Sequence, residues 1–247
     1  MTVLEIRRDE EIYEADGGWF NARWHFSFDQ YHDDEQMGVG PLRVFNDDRI
    51  VGGAVWPMHP HRDIESLTYV VEGDFEHADS LGNGGRLQPG AAQVMRFSHE
   101  GALHSERNGS DEQGMRFIQF WILPSDERLE SSVQQHQYKA EDRTDRWLQI
   151  MGPEGEDGLD LSQDARVLVS RLEPDIMVSH DFTEGRGGYV YMIEGMATFD
   201  HEGVRGGDGA KVFGPHVLTV TANEPTELIL VDVPLEFRPV GVWAGRS

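Results

Sequence analysis

Short runs of alternating apolar and polar residues, each closed by a cluster of turn residues, fill this chain from end to end. Leu42–Phe45, Leu67–Val71, Ala92–Phe97, Met115–Leu123, Val167–Leu172, Val190–Ile193, Ala197–Phe199, Val217–Thr221 and Leu228–Val233 have the period and β-branched or aromatic content of strands. Between them lie DSLGNGG (79–85), QPG (88–90), RNGSDEQG (107–114), GPEGEDG (152–158) and HEGVRGGDG (201–209). Glycine, proline, asparagine and aspartate supply the backbone angles that reverse a chain. Helical period is scarce, and the best helical stretch, Asp126–Gln135, is too polar for a core helix. The expectation is an all-β protein of sandwich or barrel type.

The 247 residues suit one or two domains at roughly 150 residues each. Thr68–Asp79 reads TYVVEGDFEHAD and Val190–Asp200 reads VYMIEGMATFD; superposing Tyr69 on Tyr191 gives an offset of 191 − 69 = 122 residues. Self-similarity at half the chain length points to a duplicated barrel. The charged stretch Pro124–Arg146 reads as the connection. The expected domains are residues 1–132 and 140–247.

Composition removes several function classes. Lys and Arg number 21 against 45 Asp and Glu, a net charge of −24, with only two lysines, Lys139 and Lys211. Binding to nucleic acid or an anionic membrane needs a cationic face, and none is visible. With no cysteine, disulfides, thiolate zinc sites and thiol nucleophiles are excluded, so a metal would need nitrogen and oxygen ligands. The N-terminus lacks the apolar segment of a signal peptide, and no apolar run nears the ~18 residues that span a bilayer. A cytoplasmic, monomeric protein is expected.

The strongest chemical signal is His59-Pro60-His61. Residues two apart on a strand share a face, so the two imidazoles converge. Pro60 lacks a ladder donor, which places this strand at a sheet edge or a bulge. His104-Ser105-Glu106 follows 104 − 61 = 43 residues later with the same spacing. On neighbouring strands the two pairs would bring three nitrogens and one oxygen to a single cation. The remaining histidines, His25, His32, His77, His136, His180, His201 and His216, read as surface or hydrogen-bonded residues, and His99 lies just before the second pair. Glu65, four residues after His61, falls by alternation on the face of His61.

The flanks extend the pattern. Gly53 with His59, His61 and Glu65, then Gly101 with His104 and Asn108, resemble the two sequence motifs of the cupin superfamily. In detail the chain is similar to the pirin family, on GWF…WHFSF (18–28), GPLRVFNDD (40–48), HPHRDIESLTYVVEG (59–73), EHADSLGN (76–83), LHSERN (103–108) and LSQDARV (161–167). The resemblance implies two cupin (jelly-roll) barrels in tandem. It implies metal ligation by His59, His61, His104 and Glu106, with Glu106 preferred to Glu65 on the family's habit. It also implies a C-terminal barrel without metal, because the counterparts of the HPH pair fall by offset at Asp181 and Thr183. The loop RFSHEGALHSE is about one residue longer than the family's Gly-rich loop and brings His99 and Glu100 to the rim.

Three imidazoles and a carboxylate suit Fe(II), with Mn, Co, Ni, Cu or Zn as further candidates. Some bacterial pirin-like proteins are quercetin 2,3-dioxygenases, so the resemblance implies a small aromatic substrate and O2, with Glu106 as the catalytic residue, either accepting the substrate proton or staying a ligand that swings away during turnover. The expected substrate slot is Phe26, Phe45, Asn46, Trp56, Met58, Gln119 and Trp121. Two other functions fit the same resemblance: a metal-dependent regulatory module, as in eukaryotic pirins that partner transcription factors, and a cupin enzyme for another small molecule.

Overall fold

A computed structural model describes residues 3–245. Twelve strands come from the first part of the chain: β1 Leu4–Arg7, β2 Tyr13–Asp16, β3 Phe20–Trp24, β4 Leu42–Ile50, β5 Val55–His61, β6 Ile64–Glu72, β7 Phe75–Asp79, β8 Gly84–Leu87, β9 Ala91–Phe97, β10 Ala102–Asn108, β11 Met115–Ile122 and β12 Ser132–Gln137. Ten follow: β13 Leu148–Pro153, β14 Leu159–Leu161, β15 Arg166–Leu172, β16 Met177–Phe182, β17 Arg186–Glu194, β18 Met196–Phe199, β19 Glu202–Arg205, β20 Gly209–Phe213, β21 His216–Ala222 and β22 Thr226–Pro234. Short 3-10 turns at Asp9–Glu11, Ala140–Arg143 and Gly241–Trp243 are the only helical elements among the described residues.

The strands form two pairs of sheets. In the first half the order is β12-β9-β6-β11-β4-β3-β2 over β5-β10-β7-β8. In the second it is β1-β20-β17-β22-β15-β13-β14 over β16-β21-β18-β19. The two orders match strand for strand, with β6 in the place of β17 and β5 in the place of β16. The duplication read from Tyr69 and Tyr191 is therefore a duplication of architecture, two cupin-type barrels of one design.

The seven-stranded sheets face one another. Phe45, Leu67, Tyr69, Ile118 and Phe120 of the first pack with Val167, Tyr189, Tyr191, Ile229 and Val231 of the second in one apolar core. Two buried hydroxyls stitch this seam reciprocally. Tyr69 donates to Glu227 Oε1 at 2.5 Å, and Tyr191 donates to Asp47 Oδ2 at 2.5 Å.

Pairing departs from the expected boundaries at both ends of the first half. β1 pairs with β20, so the first strand of the chain completes the sheet of the second barrel. β12 pairs with β9 along its whole length, Ser132↔Arg96 to Gln137↔Ala91. Part of the charged stretch read as a connection is thus an edge strand of the first barrel. Its polar residues fit that place, since an edge strand has one side open to water.

The barrel interiors differ in chemistry. In the second, Val190, Met192, Phe199, Leu218, Val220, Leu228 and Leu230 form a continuous apolar filling. The first encloses buried His77, His104, Glu106, Asn46 and Asp48 as well as apolar residues. Buried polar groups are costly unless partnered, so their concentration in one barrel marks it as the functional one.

Candidate metal centre

β5 is the free edge of its four-stranded sheet, as Pro60 requires, and pairs with β10. His59 lies opposite His104, and His61 opposite Ala102. From His104 to Glu106 is two residues, while the facing step from His59 to Trp56 is three, so β5 carries an extra residue there. Such a bulge reverses the alternation along β5. It brings Trp56 to the inner face beside His59 and His61 and leaves Met58 turned outward.

The three imidazoles form a tight triangle. Ring centroids lie 4.8 Å apart for His59 and His61, 4.4 Å for His59 and His104, and 4.6 Å for His61 and His104. One nitrogen from each can be chosen so that all three lie within 4.8 Å of one another. His59 Nδ1 donates to the Pro57 carbonyl at 2.8 Å, which leaves the Nε2 lone pair free for a ligand role. His61 Nε2 and both ring nitrogens of His104 are buried without a partner in the protein. Burial, reinforced by the neighbouring imidazoles, pushes the pKa of His61 down to about 2 and that of His104 down to about 3. Neutral rings with unpartnered lone pairs are what a divalent cation needs, so these residues fit a metal.

Glu106 stands beside the triangle, its Oε1 3.5 Å from His104 Nδ1. Gln119 Nε2 donates to the same oxygen at 2.9 Å. Burial raises the pKa of this carboxyl, opposed by His59 and the Gln119 hydrogen bond. Glu65 lies elsewhere. β5 ends at His61, and the chain turns through Asp63 at φ 52°, so Glu65 belongs to β6 of the other sheet. The alternation from His61 does not carry across that turn. Both Glu65 oxygens are engaged, accepting from Arg96 Nε at 2.8 Å, Ser162 N at 3.0 Å and Ser162 Oγ at 2.9 Å. Glu65 thus clamps the two halves together.

A pocket with about 430 Å³ of empty space, its open mouth included, adjoins His59, His61 and Glu106. Of the residues expected to line it, Asn46, Trp56, Gln119 and Trp121 do. Three do not. Phe26 and Phe45 are fully buried in the core between the halves, where Phe26 packs on Tyr189 at 4.9 Å and Phe45 on Phe120 at 5.6 Å. Met58 is 48% exposed, on the outer side of the bulge. Phe28, Asp48 and Phe117 line the pocket without having been expected. Alternation holds the signal for two of them: Asp48 is two after Asn46 on β4, and Phe117 two before Gln119 on β11. The same rule excludes Phe45, the neighbour of Asn46. His99, expected at the rim, is 62% exposed with Nδ1 3.0 Å from Asp63 Oδ2 and does not line this pocket.

In the second barrel the strand pairing corrects the sequence offset. His180 faces Leu218 and Phe182 faces His216, as His59 faces His104 and His61 faces Ala102. The counterparts of the HPH pair are therefore His180 and Phe182, one residue before Asp181 and Thr183. Val220 pairs with Phe199 as Glu106 pairs with His77. Of His180, Phe182, Leu218 and Val220, only the first offers a ligand atom, and its Nε2 is engaged by Asp232 Oδ2 at 2.7 Å.

No helix among the described residues is long and apolar enough to cross a membrane.

Comparison with known proteins accords with this architecture. Residues 6–122 match the Pirin family model, and residues 149–233 match the model described as the quercetinase C-terminal cupin domain. A pirin-like protein of Caulobacter vibrioides is 36% identical over 232 residues, covering 93% of this chain and 99% of the relative. The quercetin 2,3-dioxygenase of Escherichia coli K12 is 31% identical over 234 residues, covering 94% and 99%. The crystal structure of the bacterial pirin YhhW of E. coli in complex with nickel(II) superposes with a TM-score of 0.87 at 30% identity, covering 96% of this chain and 100% of that one. With matches in both halves and relatives aligned over nearly their whole length, this chain belongs to the pirin family of two-barrel cupins.

Proposed function

We propose that the protein is a metal-dependent dioxygenase of the quercetin 2,3-dioxygenase type, which opens the ring of a flavonol or similar aromatic enol with O2. The observation that carries this reading is the triangle of His59, His61 and His104, with unpartnered nitrogens on His61 and His104, beside a pocket that His59 and His61 line together with Phe28, Trp56, Phe117 and Trp121. Relatives named quercetin 2,3-dioxygenase support it.

His59, His61, His104 and Glu106 would hold one divalent ion, leaving the site a net charge near +1. Fe(II) suits this donor set, and Ni(II), the ion in YhhW, suits it equally. When bound, such an ion supplies Lewis acidity toward an enol oxygen and electrons for O2 chemistry.

The protein's own groups do the rest. The indoles of Trp56 and Trp121 hold a flat ring system in place. Glu106 takes the proton of the 3-hydroxyl on the oxygen that Gln119 does not occupy. Burial makes this carboxyl a stronger base only while it is off the ion, whose charge would lower its pKa. The apolar walls keep water from the ionised enol, so protonation does not compete with oxygenation. One flavonol and one O2 give a ring-opened ester and one carbon monoxide.

The test is optical. Protein loaded with Fe(II) or Ni(II) should bleach the visible band of quercetin in air, and His61→Ala should abolish this. Absence of bleaching with any of Fe, Mn, Co, Ni, Cu or Zn would overturn the reading.

A further inference from the structure

Two acceptor groups project from β4 into the pocket with no donor to satisfy them. Asn46 Oδ1 and Asp48 Oδ1 are buried and have no hydrogen-bond partner in the protein. The residues are 3% and 4% exposed, and both line the same cavity as His59, His61 and Glu106. They share a face because they are two apart on a strand. Asn46 lies directly across from Gln119, and Asp48 across from Phe117. The cavity wall on this side is thus polar, while Trp56, Trp121 and Phe28 supply aromatic surface elsewhere.

An unmet buried acceptor costs stability, about 1–3 kcal/mol each. Neighbouring carboxylates on the same strand show what a structural role looks like. Asp47, one residue away and facing the seam, is engaged by Arg116 at 2.7 Å and by the Tyr191 hydroxyl at 2.5 Å. Asp48 has no such company. A polar pair kept at a cost to stability and aimed into a binding cavity fits a ligand that brings the missing donors.

We propose that Asn46 and Asp48 form a hydroxyl-recognition subsite, so that the substrate is an aromatic enol bearing at least one further ring hydroxyl. The enol end faces the imidazoles, and a ring hydroxyl donates to Asp48 Oδ1 and shares the Asn46 amide. A site built to satisfy a hydroxyl rejects the analogue that lacks it, because the acceptors then stay unpaired. This subsite rests on the dioxygenase reading for the orientation of the ring but is testable without turnover.

Quercetin and 3-hydroxyflavone share the enol and differ in the additional ring hydroxyls. Anaerobic titration of the metal-loaded protein, followed by quenching of the pocket tryptophans, gives a Kd for each. Wild type should bind quercetin roughly ten- to a hundredfold more tightly, the size of one or two hydrogen bonds. Asn46→Leu and Asp48→Leu should each reduce that ratio to within about threefold, by weakening quercetin and not 3-hydroxyflavone. Both variants should keep their metal and melt at or above the wild-type temperature, because an unmet acceptor has gone; Asp48→Asn serves where the leucine variant does not fold. Equal affinity of wild type for the two compounds, an unchanged ratio in both variants, or no binding of either compound would overturn the subsite. Discrimination that persists without any turnover supports the subsite and sinks the dioxygenase reading alone.

Discussion

Gln119 donates its Nε2 hydrogen to Glu106 Oε1 across 2.9 Å, joining the centre of the seven-stranded sheet to the strand that bears His104. This bond occupies one Glu106 oxygen and restrains the carboxylate beside His104. A carboxylate loose by even an ångström is a poor partner for a substrate proton. Gln119→Leu should therefore lower kcat by about ten- to a hundredfold, the worth of a hydrogen bond to a charged group, while metal content stays at the wild-type level. Steady-state kinetics beside metal analysis checks both halves of this expectation.

Glu65 and Glu106 make opposite predictions. Glu65 is fully buried and bonded to Arg96 and Ser162, with no free oxygen near the imidazoles. Glu65→Gln should cost about 3 kcal/mol of stability by breaking a buried ion pair, with metal affinity unchanged. Glu106→Gln should do the reverse, weakening metal at least ten- to a hundredfold with little loss of stability. Urea melts and metal titration of the two variants separate the roles.

Much of the site was legible in the sequence because i, i+2 spacing on strands is a strict geometric rule. It paired His59 with His61 and His104 with Glu106 before any strand pairing was known. What it could not reveal was the place where the period breaks. The extra residue in β5 turns Trp56 inward and Met58 outward; the prolines of VWPMHPH allow a bulge but do not say between which residues it falls. The turn at Asp63 similarly removes Glu65 from the face it would otherwise share. Phe26 and Phe45 were misplaced for another reason: a buried aromatic beside a site and one in a barrel–barrel seam look alike until the partner sheet is known. The exchange of β1 into the second barrel depends on contacts some 200 residues apart and leaves no local trace.

That exchange has a measurable consequence. β1 covers the edge of β20, buries part of Leu4 and Ile6 against the second barrel, and places Arg8 2.9 Å from Asp208. Deleting residues 1–8 should lower the melting temperature by about 5–10 °C, from lost apolar burial and ladder bonds. It should also promote association through the bared edge. Calorimetry and light scattering would register the two effects.

His25 predicts a pH effect on stability. It is fully buried with Nδ1 2.7 Å from the Tyr189 hydroxyl, and burial pushes its pKa down to about 3. The unfolded chain takes up this proton near 6.5 and the native state only near 3, so the unfolded state binds more protons throughout that interval. Stability from this residue is complete above pH 6.5 and is lost as pH falls toward 3. In His25→Gln the slope of unfolding free energy between pH 6 and pH 4 should be shallower than in wild type by up to about 1.4 kcal/mol per pH unit. Parallel slopes in the two proteins would contradict the assignment.

The central claim is that His59, His61 and His104, with Glu106, converge on one divalent ion. Elemental analysis of purified wild type and His104→Ala tests it most directly, since His104 is the imidazole with both nitrogens unpartnered. Wild type should carry about one equivalent of a divalent transition metal and the variant close to none, with both proteins folded. A folded His104→Ala protein that retains a full equivalent would contradict the claim.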